Sequence, residues 1–218
     1  MDKHSILKQY YGHSAFRPGQ ETLIDAILSG RDALCVMPTG GGKSLCYQIP
    51  ALLLPGITLV VSPLISLMKD QVAALKSAGV PAAYINSSLT GEHIRTVYAR
   101  TRKGAYKLIY VAPERLETNS FLSLMQEMDV SFLAVDEAHC ISQWGQDFRP
   151  SYLGIVDFIN ALPRRPIVAA YTATATKQVQ SDILRLLQLQ SPYRIVTGFD
   201  RPNLYFDVRR PKNKFSAL

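Results

Sequence analysis

Residues 33–44 read ALCVMPTGGGKS, and they give the strongest indication of the fold. Its first five residues form a short apolar run that predicts a buried strand, Ala33–Met37, and three glycines stand at residues 40–42. Lys43 and Ser44 then begin the helical pattern of Lys43–Leu53. Glycines let successive backbone N–H groups turn toward one anion, and the N-terminus of a helix adds positive potential. The sequence therefore predicts a phosphate-binding P-loop between a strand and a helix.

The residues of this loop have separate expected tasks. The Lys43 ammonium is expected to reach the β- and γ-phosphates of a nucleotide, and the Ser44 hydroxyl is expected to ligate Mg²⁺. The general P-loop pattern has glycine where Met37 stands, and a dinucleotide-binding turn would need glycine where Leu45 stands. The alternative is a glycine-rich turn without a ligand. The expected phosphate cradle consists of Thr39, Gly40, Gly41, Gly42, Lys43 and Ser44.

On both sides of this loop, apolar runs alternate with longer helical patterns along the chain. Continuous apolar runs are typical of strands that are covered on both faces. The predicted strands are Ala33–Met37, Thr58–Ser62, Ala82–Ile85, Leu108–Ala112, Phe132–Asp136, Ile167–Thr172 and Arg194–Thr197. The predicted helices lie near Pro18–Leu28, Lys43–Leu53, Ile65–Ala78, Gly91–Lys103, Ser120–Met128, Tyr152–Asn160 and Lys177–Leu189. This alternation predicts an α/β fold, a mainly parallel sheet with helices on both faces. Leu204–Val208 reads as one further strand.

The composition excludes several classes of protein. The chain has 218 residues, of which 47% are hydrophobic and 19% are charged, values typical of an ordinary globular protein. The longest apolar stretch, Ala51–Val61, is too short to span a membrane and contains Pro55. The N-terminus leads into no apolar signal core, and the three cysteines form no CxxC pair. We therefore expect an intracellular, cytoplasmic protein with no membrane contact and no zinc site in this chain.

The net charge of +7 is concentrated in two places. The segment from His93 to Pro113 contains no acidic residue, and a second basic cluster, residues 209–214, stands at the C-terminus. Such patches suit a polyanion such as nucleic acid, but a solvated helix face explains them about as well.

A second candidate site element follows the predicted strand Phe132–Asp136. Asp136 is placed to hold Mg²⁺ through water, and Glu137 is placed to activate the attacking water as a general base. Two acids after an apolar run are, taken alone, usually a helix N-terminal pair. Together with the upstream P-loop they predict a nucleoside triphosphatase.

Six blocks of sequence, of which residues 136–150 are one, carry a resemblance to a known family. Residues 136–139, DEAH, resemble the acid box of superfamily 2 helicases, and residues 140–150, CISQWGQDFRP, closely resemble the aromatic-rich loop of RecQ helicases. The other similar stretches are FRPGQ (16–20), VVSPLISLMKDQ (60–71), VAPERL (111–116), YTATA (171–175) and DRPNL (200–204). The resemblance covers essentially the whole chain and implies the first RecA-like motor domain of an ATP-dependent 3′-to-5′ DNA helicase active in repair and recombination.

The resemblance implies a nucleotide site built from several segments, with ATP and Mg²⁺ as ligands. Gln20 offers both a donor and an acceptor to the adenine edge, and Arg17 is expected to stack on the base or clamp a phosphate. His13 stands where the family often has an aromatic residue that stacks on the base. His139 and Gln146 are expected to assist catalysis, and Gln146 stands where the family usually has histidine.

The resemblance also implies contacts with single-stranded DNA and tailed duplex DNA. Phosphate contacts are expected from Ser62, Lys69, Gln71 and Arg115. Trp144, Phe148 and Arg149 are expected to sense the strand and couple it to hydrolysis. Thr172 and Thr174 are expected to link the acid box to the DNA side. A loop tryptophan is otherwise often a buried anchor, and serines and threonines after strands are often only caps.

The resemblance divides the chain at residue 198. Residues 1–198 are expected to form the motor domain, and residues 199–218 a linker and the start of a second RecA-like domain, which would be its partner. Protein partners cannot be named from the sequence. An RNA helicase of the DEAD or DEAH type would lack the loop at 144–149, and an inactive scaffold would be expected to lose Lys43 or Glu137.

Overall fold

Short apolar runs form one parallel sheet in the computed structural model, which describes residues 1–198 and 207. The strands are β1 (Ala33–Val36), β2 (Ile57–Val61), β3 (Ala82–Ile85), β4 (Leu108–Val111), β5 (Val130–Val135), β6 (Ile167–Thr172) and β7 (Tyr193–Val196). They lie in the order β3-β4-β2-β5-β6-β1-β7, and every pairing between them is parallel.

Helices connect successive strands, as parallel pairing requires. Among the described residues they are α1 (Lys3–Tyr11), α2 (Gln20–Leu28), α3 (Lys43–Leu53), α4 (Ile65–Ser77), α5 (Gly91–Arg102), α6 (Pro113–Leu116), α7 (Asn119–Glu127), α8 (Gly154–Ala161) and α9 (Lys177–Leu186). Two 3₁₀ turns, Ala138–Ile141 and Pro150–Tyr152, flank a loop that we call the aromatic loop, residues 142–149.

The two faces of the sheet carry separate cores, because successive strand residues point to opposite faces. In β1, Leu34 and Val36 pack with residues of α7, α8 and α9. Ala33 and Cys35 pack with residues of α2, α3 and α4 on the other face. A small third cluster joins α1 to α2 and α3. The expected α/β architecture is therefore confirmed.

The predicted elements agree with the structure in type and to within a few residues at their ends. All seven predicted strands and the seven predicted helices are present. The helix α1 was not predicted, although Asp2 caps its N-terminus by accepting a hydrogen bond from the Ser5 N–H at 2.8 Å. The further strand predicted at Leu204–Val208 lies outside the described residues except for residue 207.

A buried carboxylate fastens the start of β1. Asp32 is 3% exposed, forms an ion pair with Arg165 at 2.6 Å, and accepts hydrogen bonds from the N–H groups of Val168 at 2.9 Å and Gln190 at 2.7 Å. It thereby ties β1 to β6 and to the segment before β7. These contacts support the strand that carries the P-loop.

The strand order determines what meets at the carboxyl edge of the sheet. Since β6 lies between β5 and β1, Thr172 at the end of β6 stands between the acid box and the P-loop. The ends of β2 and β4 lie on the other side of β5. Among the residues that the structure describes, no helix has the length and apolarity to cross a membrane.

Candidate nucleotide-binding site

The P-loop turns tightly between β1 and α3. Gly40 and Gly42 have φ values of 79° and 84°, in the left-handed region that side chains disfavour. The Lys43 ammonium donates a hydrogen bond to the carbonyl of Met37 at 3.1 Å. The Met37 side chain is 1% exposed and belongs to the core beneath α3. Methionine is therefore accommodated at this position as a core residue, because only its backbone takes part in the hydrogen bonds there.

Gln20 fastens the P-loop to the turn before α2. Its side chain is 1% exposed, and its amide nitrogen donates to the carbonyls of Gly41 and Gly42, both at 3.2 Å. Its amide oxygen accepts from the Arg17 N–H at 2.8 Å, and the Arg17 guanidinium donates to the Gly40 carbonyl. Both ends of the amide expected to read the adenine edge are thus directed to backbone groups of the protein.

The acid box begins where β5 ends. Asp136 is 6% exposed, and its carboxylate accepts the Glu137 N–H at 3.0 Å. Glu137 has a φ of 46°, so the chain leaves the strand through a left-handed residue. The buried Tyr152 hydroxyl donates a hydrogen bond to the backbone carbonyl of Asp136 at 2.9 Å. Tyr152, which follows the aromatic loop in the sequence, thereby supports this sharp bend.

The two acids differ in their electrostatic environment. Burial, together with repulsion from Glu137, raises the pKa of Asp136 to about 6. The hydrogen bond with His139 lowers the pKa of Glu137, whose carboxylate lies 3.3 Å from His139 Nδ1. The Cys140 sulfur and the Glu137 carboxylate raise the pKa of His139 to about 10. At neutral pH the site therefore holds an ionised Glu137 beside a protonated His139.

One cavity of about 450 Å³ unites these segments. Among the described residues, its wall combines the P-loop, the turn before α2 and both acids of the box, with Leu67 from α4. The lining residues are His13, Ala15, Arg17, Gln20, Thr39, Gly40, Gly42, Lys43, Ser44, Leu45, Leu67, Asp136 and Glu137. A volume of this size is within the range of small-ligand sites.

A hydrogen-bonded path leads away from the acid box. His139 Nδ1 lies 2.9 Å from the Thr172 hydroxyl, and that hydroxyl donates to the Thr174 carbonyl at 3.0 Å. Thr172 is fully buried, whereas Thr174 is exposed. The side chains of His139 and Thr172 are thus in contact, and Thr174 joins them through its backbone rather than through its hydroxyl.

The aromatic loop exposes its tryptophan. Trp144 is 75% exposed, and Phe148 lies with it along a groove of about 380 Å³ between the loop and α9. The Arg149 guanidinium contacts Asp147 at 2.8 Å and the Pro63 carbonyl at 3.3 Å, so it bridges the loop to the segment after β2. Gln146 is exposed and is not among the described residues that line the nucleotide cavity. Trp144 is therefore not the buried anchor that we considered as the alternative.

The other expected DNA contacts differ in accessibility. Lys69 is exposed, and Arg115 is half-buried with its guanidinium 3.4 Å from the Asn86 carbonyl. Gln71 accepts a hydrogen bond from Gln48 at 2.9 Å. Ser62 is 1% exposed, and its hydroxyl has no hydrogen-bond partner among the described residues.

Several residues of the site were missed from the sequence. Ala15 and Leu67 line the cavity, and Tyr152 supports the acid box. An alanine or leucine carries no chemical signal, and a tyrosine in a helical pattern reads as a core residue. Each contributes through its position in the fold rather than through a motif.

The fold and the site together define a P-loop nucleotide-binding domain of the RecA-like type. Residues 17–182 match the family model described as DEAD/DEAH box helicase. The chain belongs to the DEAD/DEAH box helicase family. Within it, the similarity is to RecQ helicases.

Curated relatives support this similarity over nearly the whole chain. The chain is 50% identical to ATP-dependent DNA helicase RecQ of Bacillus subtilis (strain 168), over 96% of this chain and 36% of the relative. It is 52% identical to ATP-dependent DNA helicase RecQ of Haemophilus influenzae, over 98% of this chain and 34% of the relative. The chain thus spans about a third of the length of these relatives.

Solved structures agree on the fold. The helicase domain of Pyrococcus furiosus Hef has a TM-score of 0.64 at 21% identity, covering 83% of this chain and 38% of that chain. The helicase MrfA bound to DNA has a TM-score of 0.71 at 16% identity, covering 90% of this chain and 29% of that chain. At these identities the likeness supports the RecA-like fold.

Proposed function

We propose that this chain is the ATP-binding motor half of a RecQ-type DNA helicase that moves 3′ to 5′ along single-stranded DNA. One observation carries the proposal: a single cavity joins the P-loop to both acids of the box, and His139 connects Glu137 to Thr172 at the carboxyl edge of the sheet. Six ordered motifs and the identity to RecQ helicases support it.

The residues of the cavity fit ATP with Mg²⁺. A buried Asp136 carboxylate and the Ser44 hydroxyl line the same cavity and are oxygen ligands of the kind that Mg²⁺ prefers. Mg²⁺, when bound, neutralises charge on the phosphates during hydrolysis. Lys43 and the P-loop N–H groups hold the phosphate oxygens, and ionisation of Asp136 above a pH of about 6 prepares it for the metal.

Glu137 polarises the attacking water. Its carboxylate is ionised at neutral pH because His139 lowers its pKa, so it accepts a hydrogen bond from that water. His139, bonded to Thr172, orients the carboxylate. Movement of Thr172 and Thr174 would therefore change the position of the group that aligns water.

The adenine side of the cavity is formed by His13 and Arg17, which are exposed at its wall. Gln20 acts here by holding the Arg17 turn against the P-loop. The buried amide of Gln20 would thereby connect the residues that contact adenine to the P-loop that contacts the phosphates.

DNA crosses the carboxyl edge of the sheet in this proposal. Trp144 and Phe148 stack on unpaired bases, and Lys69, Arg115 and Arg149 contact phosphates. The partners are single-stranded and tailed duplex DNA and a second RecA-like domain, with residues 1–198 as the first domain and 199–218 leading to the second. Repair and recombination of DNA are the processes proposed for the whole protein.

Titration with a fluorescent ATP analogue tests the nucleotide site in this chain. Mg²⁺-dependent binding is expected, and Lys43→Ala should abolish it, whereas the matched control Lys69→Ala should bind normally because Lys69 lies outside the cavity. Equal binding by all three proteins would contradict the site.

In a version extended by a second motor domain, single-stranded DNA should raise the rate of ATP hydrolysis. A rate that does not change with DNA would contradict the helicase proposal.

A further inference from the structure

We infer that Asp182 on α9 is a positioning residue for the aromatic loop and holds Trp144 where it engages DNA. The consequence for DNA-coupled hydrolysis rests on the proposed function, whereas the placement of Trp144 is a property of this chain alone. Asp182 lies 40 residues from its partner in the loop, and it belongs to none of the motifs described above.

The contacts run from α9 to the tryptophan in two steps. The Ser142 hydroxyl donates a hydrogen bond to Asp182 Oδ2 at 2.7 Å. The same hydroxyl accepts a hydrogen bond from the backbone N–H of Trp144 at 3.2 Å. Ser142 is fully buried and Asp182 is 7% exposed. The donated bond is therefore shielded from water and ends on a charged acceptor, which makes it one of the stronger hydrogen bonds in proteins.

The carboxylate is itself held in place. Its other oxygen, Oδ1, accepts a hydrogen bond from the Arg185 guanidinium one turn later at 3.0 Å. Ser142 and Arg185 lower the pKa of Asp182, so the acceptor is ionised at neutral pH. Because Arg185 occupies Oδ1, Asp182 presents Oδ2 to the loop in one orientation.

The aromatic loop is fastened to the β6–α9 unit at two points. His139, just before the loop, contacts Thr172 at the end of β6, and Ser142 contacts Asp182 in α9. Only a short connection, residues 173–176, separates β6 from α9. A displacement of Trp144 by DNA therefore reaches the acid box through the same structural unit. Without the Asp182 bond, the tryptophan would move independently of that unit.

Time-resolved fluorescence anisotropy measures this directly, because Trp144 is the only tryptophan in the 218 residues. Asp182→Ala and Ser142→Ala should each increase the amplitude of fast local motion. Loss of a hydrogen bond to a charged acceptor should raise the population ratio between molecules whose aromatic loop has left α9 and molecules whose loop is held there. We expect this ratio to rise about tenfold or more. Asp182→Asn retains an acceptor for Ser142 but not its charge, so its motion should lie between that of wild type and that of Asp182→Ala. Asp157→Ala, an exposed acid on α8, is the control.

The double variant decides whether the two residues act through one contact. Asp182→Ala with Ser142→Ala should show no more motion than either single change. Wild-type anisotropy in a folded Asp182→Ala protein would overturn the inference. If that variant fails to fold, Ser142→Ala decides alone, since it removes only one oxygen atom.

In a version extended by a second motor domain, Asp182→Ala should lower the DNA-stimulated kcat for ATP. Its KM for ATP and its DNA-free rate should remain near wild type. Undiminished stimulation in the variant would overturn the link between Asp182 and coupling. Absence of stimulation in the wild type would instead defeat the proposed function, while the anisotropy result would still support the positioning role of Asp182.

Discussion

Replacement of Asp136 by asparagine should stabilise the metal-free protein while it abolishes Mg²⁺-dependent nucleotide binding. The Asp136 carboxylate is 6% exposed, and burial and the neighbouring Glu137 raise its pKa from 3.8 to about 6. The charged form is therefore less stable in the folded than in the unfolded chain. Asparagine removes the charge and keeps an oxygen that accepts the Glu137 N–H.

The size of the effect follows from the pKa of Asp136. A rise of roughly two pH units corresponds to about 3 kcal/mol of differential interaction between the protonated and ionised forms. In a domain of this size each kcal/mol changes Tm by roughly 2–4 °C, so Asp136→Asn should raise Tm by about 6–12 °C at neutral pH.

The pH dependence has a defined sign. Below a pH of about 4 the Asp136 carboxyl is protonated in both the folded and the unfolded chain, so it does not lower the free energy of unfolding. Between about 4 and 6 the folded protein binds more protons than the unfolded chain, so the wild-type free energy of unfolding falls as pH rises. Asparagine does not titrate. The difference in free energy of unfolding between Asp136→Asn and wild type should therefore grow from about pH 4 to about pH 6 and stay constant above about pH 6.

Thermal unfolding by circular dichroism in EDTA, at pH 7.5 and at pH 4.5, measures this difference. Asp157→Asn is the control, because Asp157 is exposed in the first turn of α8 and the loss of its charge should lower Tm slightly rather than raise it. A variant no more stable than wild type at pH 7.5, or equally favoured at both pH values, would refute the reasoning that burial disfavours the Asp136 charge.

Four further outcomes are expected. Gln20→Ala should weaken ATP and GTP binding alike in titrations, because the amide holds the P-loop; a loss confined to ATP would show that it reads adenine. In a version with a second motor domain, Trp144→Ala should bind ATP normally but lose stimulation by single-stranded DNA, and normal stimulation would sink the stacking role. Asp32→Ala should cost about 2–4 kcal/mol in urea unfolding, because the N–H groups of Val168 and Gln190 lose their acceptor and Arg165 loses its ion pair, and unchanged stability would contradict this. The 218 residues alone should not unwind a 3′-tailed duplex, since directional movement requires two domains that open and close; unwinding that Lys43→Ala abolishes would disprove it.

Local patterns explain why so much of the fold was predictable. Buried parallel strands read as continuous apolar runs, and the P-loop combines a strand, three glycines and Lys43 within twelve residues. The acid box was equally visible, because Asp136 and Glu137 directly follow such a run. The helix α1 was missed although Asp2 offers a capping carboxylate, since the N-terminus was considered only as a possible signal sequence.

The order of most elements, the phosphate loop and the two acids could therefore be predicted from local patterns. The contacts that these residues make could not, because they depend on the folded chain. In the folded chain the Gln20 amide donates to backbone carbonyls, and the Met37 side chain packs in the core. Burial raises the pKa of Asp136, and Ser142 donates a hydrogen bond to Asp182. The physical reason is distance along the chain. Strand and turn preferences act between neighbouring residues, whereas burial and side-chain hydrogen bonds depend on the strand order and on the packing of helices against the sheet.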